Sequence, residues 1–191
     1  MLPETFYSTD ALDLSQKLLG KLLVRKLSEG EIVCRITETE AYMGVTDKGC
    51  HAYGGKITQR TRTMYLPSGH AYIYLIYGMY NCLNVVANVE GVPEAVLIRG
   101  AEPVGDHRTE EADEADEADE AFISMKLDGP GKLCRAMKID RSLNALPLYT
   151  GEELYISDDG YNGFDISSGP RINIGYAQEY KDIPWRFFIS R

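Results

Sequence analysis

The sequence predicts an α+β fold: a single domain spanning residues 1–191, built on a curved, mostly antiparallel, barrel-like β-sheet flanked by helices. Three observations point there. Strand-like runs outnumber helical ones, at least two neighbouring runs are joined by tight connections, and no linker divides the 191 residues. That length suits one sizeable domain, or at most two small ones.

The elements follow in order. Ser8, Thr9 or Asp10 can cap a short helix, Leu12, Leu14, Leu18 and Leu19 give it an apolar side, and Gly20 suits the residue just past its end. Two strands come next, Lys21–Leu27 and Glu31–Tyr42, with SEGE as the turn of a hairpin. The polar, glycine-bearing stretch from Met43 to Arg62 reads as loop. Ala71–Tyr77 and Asn81–Val89 are rich in Tyr, Ile and Val, as strands are. Gly78-Met79-Tyr80 forms the tight connection between them. Ala95–Pro103 is a further strand. Gly129–Met137 reads as a helix starting at Pro130, where the missing N–H costs nothing. Strands over Glu153–Ser157, Arg171–Ile174 and Trp185–Ser190 complete the sheet.

Composition narrows the function classes. No apolar run approaches the roughly 18 residues of a membrane span, and MLPETFYSTDALD has neither the basic nor the apolar region of a secretory signal. The formal charge of −9, from 20 basic and 29 acidic residues, argues against a nucleic-acid binder if taken globally. Yet residues 110–120 read EEADEADEADE and hold eight of the carboxylates, so the rest carries 20 basic against 21 acidic residues, or −1. The run is a three-residue repeat that makes no apolar helical face, and we read it as an exposed tract between elements. Cys34, Cys50, Cys82 and Cys134 include no CxxC pair and no zinc-ligand spacing, which fits reduced thiols in a cytoplasmic protein without a metal.

Three groups of residues could carry chemistry. In TETEAY, alternation puts Glu38, Glu40 and Tyr42 on one face of a strand. A strand carboxylate is commonly a solvated surface group, but here a Tyr follows two residues on and His51 shortly after. A carboxylate, a Tyr and a His near one loop are the parts of an acid–base or stacking site. Tyr72, Tyr74, Tyr77 and Tyr80 cluster in nine residues of a chain with 13 Tyr and one Trp. They read either as cross-strand packing or as a platform for a planar, electron-poor ligand. Arg99 follows the apolar Ala95–Ile98, where a strand leaves the core. It is either an exposed strand end or a partly buried cation beside Glu40.

The ordered set ITETEAYMG, His51 eleven residues after Glu40, QRTRTMY, YLIYGMYNCLN, AVLIRGAEP, GPGKLC and SGPRINIG resembles the alkyladenine (3-methyladenine) DNA glycosylase family, from about Phe6 to Arg191. The resemblance implies a monofunctional base-excision enzyme that flips a damaged purine out of double-stranded DNA, acting as a monomer without a cofactor. By position, Glu40 matches the general base, Arg99 a partner holding the attacking water, and the Ile172 carbonyl a third water ligand. Tyr42 and His51 match one wall around the flipped base and Tyr74 the opposing ring. Asn84 matches the group that obstructs the amino group of guanine, and Tyr77, with Met79 beside it, the wedge in the duplex gap. No Lys stands at a motif position as a Schiff-base nucleophile, so water attack without strand cleavage is implied. Three features depart from the family pattern: the acidic repeat, Cys50 and Ala52 flanking His51, and Asn173 where Gly is common. The residues leave two other readings open: a damage sensor that binds without turnover, and a hydrolase of free nucleosides. The pairing of Glu40 with Arg99 speaks against the first, and a duplex wedge against the second.

Overall fold

A computed structural model describes residues 1–104 and 121–190; the acidic repeat at 110–120 lies outside the described residues. In chain order the elements are α1 (Ala11–Lys17), β1 (Leu22–Leu27), β2 (Gly30–Tyr42), β3 (Ala71–Ile76), β4 (Tyr80–Ala87), β5 (Glu94–Pro103), α2 (Pro130–Ala136), β6 (Leu154–Ser157), β7 (Asp165–Gly169) and β8 (Arg186–Ser190), with short 3₁₀ turns between. All the strand pairings are antiparallel. The order β3-β4-β5-β2-β1-β6 runs across one eight-stranded sheet, with β8 added to β2 and β7 to β8. The path does not close on itself, so the sheet is open rather than a barrel.

β2 is the spine. Its first half pairs with β1, from Arg35 opposite Leu22 to Gly30 opposite Leu27. Its second half pairs with β8, where Glu38, Thr39 and Glu40 face Phe188, Phe187 and Arg186. On its other edge the register with β5 slips on both sides of Glu38. Such irregularities bend a strand and increase its twist. They fall where β2 exchanges one neighbour for another.

The sheet buries both faces. One face carries Ile36, Ala41, Ile73, Leu83, Val85, Val96 and Ile98, covered by Leu14 of α1, Leu18 just past its end, and Leu133 and Met137 at α2. Asp10 caps α1 by accepting from Asp13 N at 2.9 Å. The buried Glu94 at the start of β5 accepts from Ala11 N at 2.9 Å, which fixes the helix on the sheet. The other face, with Tyr72, Val86 and Ala95, packs against Cys50, Ala52 and Met64 from the long loop after β2. All four cysteines are free and buried. Among the described residues no helix is long and apolar enough to cross a membrane.

The structure corrects three details. The β3–β4 connection is Tyr77-Gly78-Met79, one residue earlier than the pattern suggests, since Ile76 pairs with Tyr80. Arg171–Ile174 is not a strand: the Ile172 N–H goes to a side chain, and Asn173 has φ +61°. That left-handed conformation excludes most residues but suits Gly and tolerates Asn, which is the residue at 173. The strand in this region is β7, just upstream, where alternation is masked by Ser and Gly.

Candidate active site

Register builds the site. Tyr72 pairs with Asn84, Asn84 with Leu97, and Leu97 with Glu40, one row across β3, β4, β5 and β2. Directly paired residues share a face. This row is the floor of a cleft of about 670 Å³, which Tyr42, His51, Tyr74, Tyr77, Arg99 and Ile172 also line. That volume suits a ligand of nucleobase size with part of its sugar. Eight of the nine residues to which the family resemblance gives a role therefore meet around one cavity. Met79 does not line it and stands exposed at the hairpin tip.

Glu40 has no exposed surface, yet its carboxylate is held from both sides. Oε1 accepts from the Ile172 N–H at 2.9 Å and Oε2 from the Tyr42 hydroxyl at 2.8 Å. Burial pushes its pKa up from the usual carboxylate range. The two hydrogen bonds and the charges of Arg99 and Arg171 oppose that push. Burial, and then the Glu40 charge, raise the Tyr42 hydroxyl well above its usual value, so it remains a donor.

Arg99 is shared between two carboxylates. Its Nε lies 3.0 Å from Glu38 Oε1 and 3.7 Å from Glu40 Oε1. Neither contact has hydrogen-bond geometry, so the Nε–H is buried and unpaired. Glu38 is further held by Arg186 Nη1 at 2.9 Å. The nearer partner of Arg99 is thus Glu38, which strand alternation places beside Glu40.

The aromatic wall combines β3 and the loop after β2. The His51 ring meets Tyr74 edge-on, with centroids 4.6 Å apart, and its Nδ1 lies 3.0 Å from the Tyr72 hydroxyl. Arg60 lies 3.0 Å from His51 Nε2. Guanidinium can only donate, so Nε2 accepts and Nδ1 carries the proton. Burial and then Arg60 hold the His51 pKa down at about 4, which keeps the ring neutral at physiological pH. The Arg60 guanidinium also sits over the Tyr74 ring, 4.6 Å from its centroid. Asn84 is buried, and its Nδ2 donates to Tyr72 O and Cys82 O, which fixes the amide against the floor.

Tyr77 is 77% exposed at the rim, with φ +53° and Gly78 at +71° behind it. A bulky side chain in that conformation is strained. Beside the cleft, a polar groove of about 750 Å³ shares Arg60 and Tyr74 with it and is also lined by Arg62 and Arg141. Sequence reasoning did not assign Arg60, which lies within the motif QRTRTMY, to the pocket. It missed Arg171, Asp47 and Tyr176; the position of Arg171 inside SGPRINIG was the available signal. Among the described residues no group of His, Cys, Asp and Glu could hold a metal ion.

Residues 5–191 match the family model described as methylpurine-DNA glycosylase. A protein of Clostridioides difficile named "Putative 3-methyladenine DNA glycosylase" is 48% identical, with 99% of this chain and all of that protein covered. Relatives of the same name from Alkaliphilus oremlandii and Methanocella arvoryzae are 45% and 46% identical, over 99% and 98% of this chain and 95% and 92% of theirs.

Proposed function

Because the chain belongs to the methylpurine-DNA glycosylase family, we propose that it is a monofunctional glycosylase acting on 3-methyladenine-type purines flipped out of duplex DNA. The observation that carries this reading is Glu40: a fully buried carboxylate, fixed by two donors, on the floor of an aromatic cleft.

Glu40 removes a proton from a water, whose oxygen attacks the sugar C1′. The N-glycosidic bond breaks and its electron pair leaves with the base. The same negative charge stabilises the oxocarbenium-like sugar as it forms. The unpaired Nε–H of Arg99 and the Ile172 carbonyl are the further water partners. A cationic, alkylated purine already leaves readily, so no strong acid is required, and the neutral His51 supplies none.

The His51 and Tyr74 rings touch edge-on, 4.6 Å between centroids, which leaves no room for a base between them. His51 therefore sides with Tyr74 rather than with Tyr42, and the base stacks between that wall and the Tyr42 ring. In the free protein a planar cation, the Arg60 guanidinium, already rests on Tyr74 beside His51. That supports a cationic heterocycle as the natural occupant, favoured by roughly 0.5–2 kcal/mol per ring face. The fixed amide of Asn84 blocks the exocyclic amino group of guanine. Tyr77 fills the gap left in the duplex, with Met79 against the neighbouring base pair, and Arg60, Arg62 and Arg141 line a groove suited to the phosphates.

The test is release of free base from alkylated duplex DNA, with undamaged duplex as control. Release without strand cleavage is expected. Binding without release would favour the damage sensor, and stronger competition by free nucleoside than by duplex would favour the nucleoside hydrolase.

A further inference from the structure

We propose that the buried Arg171–Asp47 pair is a positioning device for the reaction: Arg171 holds residue 172 against Glu40 and supplies a fixed positive charge behind it. The inference rests on the proposed base-excision chemistry.

The pair is wholly inside the protein, with no exposed side-chain surface on either partner. Arg171 Nη1 and Nη2 donate to Asp47 Oδ2 and Oδ1 at 2.5 and 2.8 Å, a two-pronged contact that fixes the plane of the guanidinium. Nη1 also donates to Ala41 O at 3.0 Å, the carbonyl between Glu40 and Tyr42. The guanidinium lies between the rings of Tyr42 and Trp185, 4.7 and 5.0 Å from their centroids. Asp47 accepts in addition from Met43 N and Gly49 N. A Cβ at Gly49 would stand 2.8 Å from Arg171 Nη2, so only glycine lets the loop approach this closely. One ion pair therefore ties the end of β2, the loop leading to His51 and the segment whose next N–H binds Glu40.

A buried ion pair is a poor means to stability, since desolvation cancels much of its attraction. Here its geometry reaches the reacting groups. Ile172, bonded directly to Arg171, has no strand ladder to fix it; its N–H is fixed by Glu40 and its backbone by Arg171. If residue 172 shifts, Glu40 loses a donor and the water loses its carbonyl. A misplacement of about 1 Å is worth roughly 10²-fold in rate.

The charge acts as well. The groups around Glu40 are Tyr42 on β2, Arg99 on β5 with Glu38 behind it, Cys82 on β4, Arg186 of β8 turned toward Glu38, and Arg171 from the segment after β7. Arg171 and Arg99 are the cations that help keep the buried carboxylate ionised.

Two variants of the full chain test this: Arg171→Met with Asp47→Leu, which removes both charges together, and Arg171→Lys, which keeps a charge without the fork. Single-turnover release from alkylated duplex is followed against pH, together with binding to a duplex carrying a non-cleavable abasic analogue and with thermal melting. The double variant should bind the analogue within about threefold of wild type while its rate falls roughly 10²-fold. The acid limb of its pH profile should move to higher pH. The Lys variant should lose rate but keep the acid limb. If the double variant does not fold, a Lys variant with wild-type rate overturns the proposal on its own. So does a folded double variant whose rate and acid limb match wild type. Wild-type protein that releases no base would instead overturn the base-excision reading and leave this pair a structural brace.

Discussion

Glu40, the proposed general base, is a single side chain that works against folding. Its folded pKa is raised by burial, so folding favours its protonated form. The cost of burying the carboxylate is absent below the ordinary carboxylate range and grows as pH rises through the raised value. Glu40→Gln keeps the shape, with its amide able to accept from Ile172 N–H and donate to the Tyr42 oxygen. The variant should melt at or above the wild-type temperature near neutral pH, and this advantage should vanish in acid. Its single-turnover base release should fall by about 10²–10⁴-fold. Retention of more than about a tenth of the wild-type rate would remove Glu40 from the mechanism. Wild-type activity itself should decline on the acid side as Glu40 takes up its proton. Glu40 and Tyr42 were legible because period-two alternation places them together. Arg99 was legible as a cation at a strand's exit, but its nearer attachment to Glu38 was not: that depends on a register slip between β2 and β5 that no spacing announces.

Among the elements, the β3–β4 hairpin shows how much the strand signal conveys. Tyr, Ile and Val density located both strands, and the structure moves their connection by only one residue. The left-handed φ of Tyr77 was not readable, because the pattern assigned that residue to the strand and Gly78 to the turn. This conformation yields a prediction with two opposite signs. Tyr77→Gly relieves the backbone and should stabilise the protein by up to about 1 kcal/mol, the left-handed penalty less the added chain entropy. The same change removes the wedge and should weaken binding to a duplex with a well-paired lesion by roughly 1–3 kcal/mol. The loss should be smaller for lesions already poorly paired. Melting and binding assays on one preparation read both; equal binding losses on paired and mismatched lesions would make Tyr77 an ordinary surface residue. Arg171–Ile174 is the opposite case. Its apolar alternation suggests a strand, but these residues spend their hydrogen-bonding groups on Asp47, Ala41 and Glu40.

For the molecule as a whole, the uneven charge matters more than the total. Eight carboxylates sit within residues 110–120, and the remaining chain is close to neutral. The tract follows β5, the strand that carries Arg99, and precedes α2, whose first residues line the cleft. Charges farther than about 8 Å from the phosphates are largely screened at physiological salt. Removing residues 113–120, with six carboxylates, should therefore tighten duplex binding mainly at low salt and leave single-turnover release at saturating enzyme unchanged. A collapse of that rate would show that the tract helps to build the site. The fold class was legible at this scale because paired strands without a linker leave few alternatives, whereas the open path of the sheet and its branch at β2 come from long-range pairing that local pattern does not encode.

That branch also sets an order in time. Glu40 is translated well before its partners: the strand that flanks it and the N–H that anchors it are 132 residues or more downstream in the chain. A ribosome synthesising this protein carries Glu40 long before that side chain can be oriented. The set of contacts around Glu40 closes only when β8 has emerged and docked, since contacts of such separation form late. A nascent chain stalled after Gly169 should therefore show no base release, and stalling beyond Ser190 with room to fold should restore it. The growing polypeptide would thus be held silent toward DNA until β8 has left the ribosome.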